Sequence, residues 1–128
     1  MKKFITGVLA LMFWVNAEAG LTSTAEQLLQ DYQQQGATEA DSESGKSIWY
    51  STSENRSCSS CHSNQLKDMG KHQKTGKPIK PMALSINKAR YQDSKKIEKW
   101  FLRNCKWTFG RECNVQEKSD LLSWLISQ

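Results

Sequence analysis

The feature that most constrains this chain is a five-residue segment, CSSCH, at positions 58–62. A CxxCH segment is the pattern of covalent haem attachment, in which two thiols add across the vinyl groups of haem and the adjacent imidazole reaches the iron. The segment by itself also fits a disulfide, or half of a zinc site, that happens to precede a histidine. Under the haem interpretation Cys58 and Cys61 hold the cofactor, one haem c per chain, and His62 is the proximal ligand.

The N-terminus indicates the compartment. Two lysines precede an apolar run over residues 4–15, and residues 17–19 read AEA, the small-x-small pattern cut by signal peptidase. The run is shorter than the ~20 residues that a membrane-spanning helix needs, although an uncleaved anchor is the alternative. We therefore predict a signal peptide over residues 1–19, cleaved near Ala19, and an exported periplasmic protein without a membrane anchor.

The cysteine count agrees with an oxidising compartment. Of the four cysteines, haem would consume two, and Cys105 and Cys113 can then pair with no thiol left over. Removing residues 1–19 from the 128 leaves 109, a small domain whose limited core a buried cofactor would help to fill. The net charge of +5 is modest, and no basic stripe with interleaved aromatic residues accompanies it, which argues against nucleic acid as a partner.

Helical periodicity predicts an all-α chain. Together with the CxxCH segment it leads us to expect a class I cytochrome c-like fold, with a few helices around the haem. Gly45 lies on the apolar face of one helix, where a small residue lets the last helix cross closely. The stretch between positions 62 and 93 shows little periodicity, and wrapping a haem would explain its length. We predict an N-terminal helical extension over residues 20–40 and a monohaem cytochrome domain over residues 41–128. The predicted helices cover residues 22–35, 43–51 and 116–127, and a further helix begins at 93 and reaches 104.

The occupant of the sixth iron position decides whether such a protein only transfers electrons or also binds small molecules. Met82 follows a proline, as sixth ligands of electron-transfer cytochromes often do, but a methionine is more often core filling. His72 and Met69 have the surroundings of ordinary loop residues. Asn104 lies on an apolar helical face, where an unpartnered amide costs ~1–3 kcal/mol. Iron or a helix C-cap would each provide its partner, and spacing does not separate the two.

Five segments carry a resemblance to a known family. The chain resembles the sphaeroides haem protein family, exported high-spin monohaem c-type cytochromes long classed as a domain of unknown function. The resemblance covers most of residues 41–128, and its most specific element is RNC followed by a second cysteine after seven residues. The segments are TGKPIKPMA at 75–83, RYQD at 90–93, KWFLRNCKW at 99–107, GREC at 110–113 and QEK at 116–118.

The resemblance implies that Asn104 is the sixth ligand of ferric iron and that Cys105 and Cys113 form a disulfide beside it. An amide oxygen is a hard, weak ligand that suits ferric iron, so reduction should release Asn104 and let oxygen, nitric oxide or another diatomic molecule bind. The resemblance also implies electron donors, a dihaem c-type cytochrome and a membrane cytochrome b, which the lysines near the haem segment could steer. The alternatives are a low-spin carrier that uses Met82, or a small oxygen or nitric oxide reductase.

Overall fold

The computed structural model describes residues 23–128, and they are mostly helical, which confirms the predicted all-α class. The predicted signal peptide and its cleavage site lie outside these residues. Within the described part of the chain, no helix is both long enough and apolar enough to cross a membrane. In chain order the elements are α1 Thr24–Gln34, α2 Ser42–Tyr50, α3 Ser59–His62, β1 Gly70–Lys71, β2 Pro78–Ile79, a 3₁₀ helix Lys88–Tyr91, α4 Ser94–Phe109 and α5 Val115–Ile126.

The four longer helices begin at side-chain caps. Ser23, Asp41, Asp93 and Asn114 each accept a hydrogen bond from a backbone N–H of the first helical turn. These caps confirm the predicted helices, whose ends shift by only one or two residues where both ends were predicted. α4 continues to Phe109 and ends at Gly110, which has φ of +69°. The helix C-cap interpretation of Asn104 is therefore wrong, because Asn104 lies within the helix.

The crossing of α2 and α5 brings the segment before CSSCH against the C-terminal helix, as the position of Gly45 predicts. A Cβ atom at Gly45 would lie 2.0 Å from the carbonyl oxygen of Asp120 and 3.0 Å from the backbone nitrogen of Leu121. Beside this crossing the rings of Trp49 and Trp124 pack with centroids 5.5 Å apart. The backbones of the two helices touch here because no side chain separates them.

A polar cluster holds α1 on the rest of the protein. The Tyr32 side chain is fully buried, and its hydroxyl donates a hydrogen bond of 2.5 Å to a carboxylate oxygen of Glu98 on α4. Lys118 on α5 donates to the same carboxylate at 3.0 Å, and its ammonium lies 5.0 Å from the centre of the Tyr32 ring. The N-terminal helix is thus packed against both helices.

The segment between α3 and α4 is more ordered than its sequence pattern predicts. Gly70 and Lys71 pair in antiparallel register with residues 78–79, which makes a short hairpin. Three consecutive carbonyl oxygens, at positions 80–82, accept hydrogen bonds from the side chains of Arg90, Asn87 and Tyr91, respectively. Side chains rather than regular backbone pairing hold residues 80–82 in place. The sequence of this segment therefore shows no helical or strand periodicity.

Candidate functional site

A cavity of about 680 Å³ lies between α2, α4, α5 and the segment of residues 62–93. This volume is within the range typical of cofactor pockets, about 300–1,000 Å³. The cavity brings together residues that are far apart in the sequence. Its lining includes all the predicted haem and iron ligands, namely Cys58, Cys61, His62, Asn104 and the alternative Met82.

The two cysteines of the CSSCH segment are free thiols in the cavity wall. A tight turn just before them, in which Glu54 and Asn55 have positive φ, leads the chain into α3. Burial raises the pKa of the Cys58 thiol to about 11, so that it is protonated at neutral pH. Both cysteines are unpaired and line the cavity, where a bound group can reach them.

The His62 imidazole has the protonation state that a metal ligand needs. Burial, and secondarily the positive charge of Arg90, lower the pKa of His62 to about 4, so the ring is neutral at physiological pH. The ring packs against Trp49 with centroids 5.3 Å apart. Nδ1 is buried and has no hydrogen-bond partner among the described residues. The ring orientation thus rests on packing.

The hairpin of β1 and β2 presses directly on the CSSCH helix. A Cβ atom at Gly70 would lie 2.2 Å from the carbonyl oxygen of Cys61 and 2.9 Å from Cα of His62. The backbone N–H of Gln73, in the same hairpin, donates to the Cys61 sulfur at 3.4 Å. Sequence reasoning did not assign a role to Gly70, because the close approach arises only when the hairpin folds back.

Asn104 lines the cavity from α4, together with Ile97, Trp100 and Phe101. These four residues are those whose spacing predicts a common helical face. The hydrogen bonds of the described residues include none from the Asn104 side chain, which is half-buried. Its amide is therefore a polar group in the cavity wall without a protein partner.

The structure separates the other candidates for the sixth ligand. Met82 is only 8% exposed and lines the cavity, whereas Met69 is 56% exposed and lies outside the lining. His72 also lines the cavity, but its Nδ1 accepts hydrogen bonds from the backbone N–H groups of Lys74 and Thr75 at 3.3 and 3.1 Å. Its proton consequently lies on Nε2, so this nitrogen has no lone pair for a metal.

Cys105 and Cys113 lie at disulfide geometry, with their sulfur atoms 1.93 Å apart and their Cα atoms 5.6 Å apart. Cys105 follows Asn104 directly and lines the cavity. Cys113 immediately precedes the N-cap of α5. The pair therefore ties the part of α4 that bears Asn104 to the start of the last helix.

The charges of the cavity wall fit a haem. Two thiols and a neutral imidazole lie together in the wall, and most of the remaining surface is aromatic or aliphatic. The lining contains no carboxylate among the described residues, but it contains four cations, Lys77, Lys80, Arg90 and Arg103. Haem carries two propionates, which such a wall would complement. Sequence reasoning missed Arg90 as a site residue, since nothing in the RYQD segment shows that it faces the cavity.

Comparison with known proteins agrees with this geometry. A family model described as a domain of unknown function (DUF1924) matches residues 35–125. The chain belongs to the DUF1924 family. Cytochrome c-type protein SHP of Cereibacter sphaeroides is 40% identical over 117 residues, which are 88% of this chain and 89% of SHP. The resemblance to the sphaeroides haem protein family is thereby confirmed.

Solved structures confirm the fold of this DUF1924 protein. Oxidized SHP, described as an oxygen binding cytochrome c, superposes with a TM-score of 0.77 at 36% identity, covering 83% of this chain and 98% of SHP. Oxidized cytochrome c'' from Methylophilus methylotrophus gives a TM-score of 0.70 at 28% identity, covering 82% and 94%. Its sequence is 35% identical over 71 residues, which are 56% of this chain and 49% of the relative. The protein is thus a c-type cytochrome with haem c as its cofactor.

Proposed function

We propose that this DUF1924 protein is an exported c-type cytochrome that accepts an electron and then exchanges its own asparagine ligand for a small diatomic molecule. The observation that carries the proposal is the Asn104 side chain, which lies in the cavity wall without a hydrogen-bond partner among the described residues. The similarity to SHP, an oxygen binding cytochrome c, supports it.

On the proximal side the protein would hold the haem and His62 in a fixed position. The bound haem supplies an iron that alternates between ferric and ferrous states and takes a sixth ligand. Cys58 and Cys61 would hold the haem through thioethers, and His62 would bind the iron as a neutral imidazole. The ring of Trp49 and the close contact of Gly70 limit the movement of His62.

On the distal side Asn104 would act as a ligand that the iron can release. Its amide oxygen is hard and weak, so it favours ferric over ferrous iron. The Asp93 cap at the start of α4 and the Cys105–Cys113 pair beside the ligand hold the helix backbone. Release of Asn104 would therefore need only a side-chain rotation, and the helix would remain in place to rebind the iron on oxidation.

A second candidate is a low-spin electron carrier with Met82 as the sixth ligand. Its support is the burial of Met82 in the cavity wall. A thioether prefers ferrous iron, so this protein would keep its site closed on reduction and would bind no gas. An oxygen or nitric oxide reductase would use the same open site as our first proposal, and turnover well above spontaneous autoxidation would identify it.

The electron donor would approach a basic surface. Lys77, Lys80 and Arg103 are exposed and lie at the cavity, with no carboxylate in its described lining. Such a surface attracts an acidic partner over a distance of about a Debye length. We propose a dihaem c-type cytochrome or a membrane cytochrome b as the donor, and the periplasm, after removal of residues 1–19, as the compartment.

Two alanine variants of the haem-loaded protein separate these proposals. Asn104→Ala is expected to remove the ferric sixth ligand and change the ferric spectrum, while carbon monoxide still binds the ferrous form. Met82→Ala is expected to leave the ferric spectrum largely intact. Met69→Ala, at an exposed methionine, is the matched control for Met82→Ala.

The opposite pattern would refute the asparagine assignment. A methionine-to-ferric-iron charge-transfer band in the far red that Met82→Ala abolishes would establish the low-spin carrier. Failure of the ferrous wild-type protein to bind carbon monoxide or nitric oxide would contradict the ligand exchange.

A further inference from the structure

Arg90 is a half-buried cation without a protein counter-ion. It lies in the 3₁₀ helix Lys88–Tyr91 and lines the cavity. None of the salt bridges of the described residues includes it, and its Nε is buried without a hydrogen-bond partner. A guanidinium does not lose its proton in proteins, and buried charges are normally paired. Arg90 therefore lacks the anion that its position requires.

The guanidinium is held in place before any ligand arrives. One of its terminal nitrogens donates a hydrogen bond of 3.0 Å to the carbonyl oxygen of Lys80. The side chain of Asn87 donates to the next carbonyl, of Pro81, at 3.0 Å, and the Tyr91 hydroxyl donates to the carbonyl after that. Three successive contacts thus lock the 3₁₀ helix against residues 80–82, so that Arg90 loses little freedom on binding a ligand.

Arg90 also differs from the other cations of the cavity wall. Lys77, Lys80 and Arg103 are exposed, whereas Arg90 is half-buried. No carboxylate in the described lining competes for it. The guanidinium fork matches the geometry of a carboxylate, and haem brings two carboxylates, its propionates.

We propose that Arg90 binds a haem propionate and thereby raises the reduction potential of the iron. The ion pair cancels a negative charge close to the iron, and this removes a stabilisation of the ferric over the ferrous state. The inference rests on the haem cofactor of the proposed function but not on the identity of the sixth ligand. A change in the assignment of Asn104 would leave it intact.

The test is the midpoint potential of the haem-loaded protein, measured by spectroelectrochemistry between pH 5 and 8. Arg90→Gln is expected to lower the ferrous-to-ferric ratio at a fixed applied potential about tenfold, equivalent to ~59 mV for a one-electron couple. Arg103→Gln, which removes an exposed cation from the same cavity wall, is the matched control and should change the ratio less than twofold. Haem content and the spectra of both oxidation states verify that each variant is loaded and folded.

The pH profile distinguishes a propionate pair from a charge that acts only through space. In the wild type the pair keeps this propionate ionised, so any slope of the potential over this range comes from groups that Arg90→Gln also retains, the second propionate among them. In Arg90→Gln the released propionate titrates as well, so the potential should rise more steeply than in the wild type as the pH falls from 7 to 5. In the haem-loaded protein Cys58, Cys61 and His62 are bound to the cofactor. The remaining titratable groups of the cavity wall are common to the wild type and Arg90→Gln, and they are His72, Lys77, Lys80, Tyr91 and Arg103.

Two outcomes would overturn the proposal. Equal shifts in Arg90→Gln and Arg103→Gln would show that Arg90 has no special partner, and a shift of the same size at every pH would show that the charge is unpaired. Arg90→Lys keeps the charge but not the fork, and its potential should lie between those of the wild type and Arg90→Gln. If Arg90→Gln does not fold, the neutral variant Arg90→Met replaces it, with the same expected shift and the same two outcomes that would overturn the proposal.

Discussion

The contact between the β1–β2 hairpin and the CSSCH helix predicts that Gly70→Ala damages both stability and the haem site. The new Cβ atom would lie 2.2 Å from the Cys61 carbonyl oxygen, whereas ordinary contacts begin at 3.4 Å. Because both neighbours are backbone atoms, no change of rotamer relieves the clash, and the hairpin or α3 must move by about 1 Å. Overpacking of this kind costs about 1–3 kcal/mol, and a backbone clash belongs at the upper end of that range.

The assay combines thermal unfolding with spectroscopy of the haem-loaded protein. A loss of about 3 kcal/mol lowers Tm by roughly 10 °C or more for a chain of this size. The ferric spectrum should change as well, because the displaced segment carries His62. Lys71→Ala is the matched control, since it alters the exposed neighbour in the same strand and should change stability by no more than about 0.5 kcal/mol. A Gly70→Ala protein with a wild-type Tm and ferric spectrum would refute this account of how His62 is held.

Two further predictions concern the helices around the site. Gly45→Ala should destabilise the protein by about 3 kcal/mol, measured by thermal unfolding, because its Cβ would lie 2.0 Å from the Asp120 carbonyl oxygen; an unchanged Tm would contradict the α2–α5 crossing. Tyr32→Phe should lower stability by about 1.5 kcal/mol, since it removes a hydrogen bond to the Glu98 carboxylate. Its midpoint potential should stay at the wild-type value, and a stability unchanged within error would show that the Tyr32 hydroxyl does not anchor α1.

Local chemistry accounts for most of what could be predicted in advance. The caps and apolar spacing of the longer helices are encoded within a few residues, so α1, α2, α4 and α5 were predictable. The Gly45 crossing was predictable because only a residue without a side chain permits such an approach. The C-cap interpretation of Asn104 failed because the left-handed Gly110 lies six residues later, and a helix ends where the backbone conformation changes rather than at the first plausible capping residue.

The ligand candidates show the limit of local reasoning. Sequence alone left His72, Met69, Met82 and Asn104 open, because a ligand is defined by the direction in which its side chain points. Folding removes Met69 by exposure and His72 by the backbone N–H groups that occupy its Nδ1. Met82 and Asn104 both remain in the cavity wall, where the chemistry of thioether and amide has to distinguish them.

The sequence by itself determined the helical class and the family, and it predicted CSSCH as the haem attachment segment, since each depends on residues close together in the chain. Only the tertiary structure decided how the site is held and charged. The close approach of Gly70 to Cys61, and the half-buried Arg90 in a cavity wall without carboxylates, both require segments distant in sequence to meet. Local sequence patterns do not indicate such contacts, because these contacts depend on how the whole chain packs around the CSSCH segment.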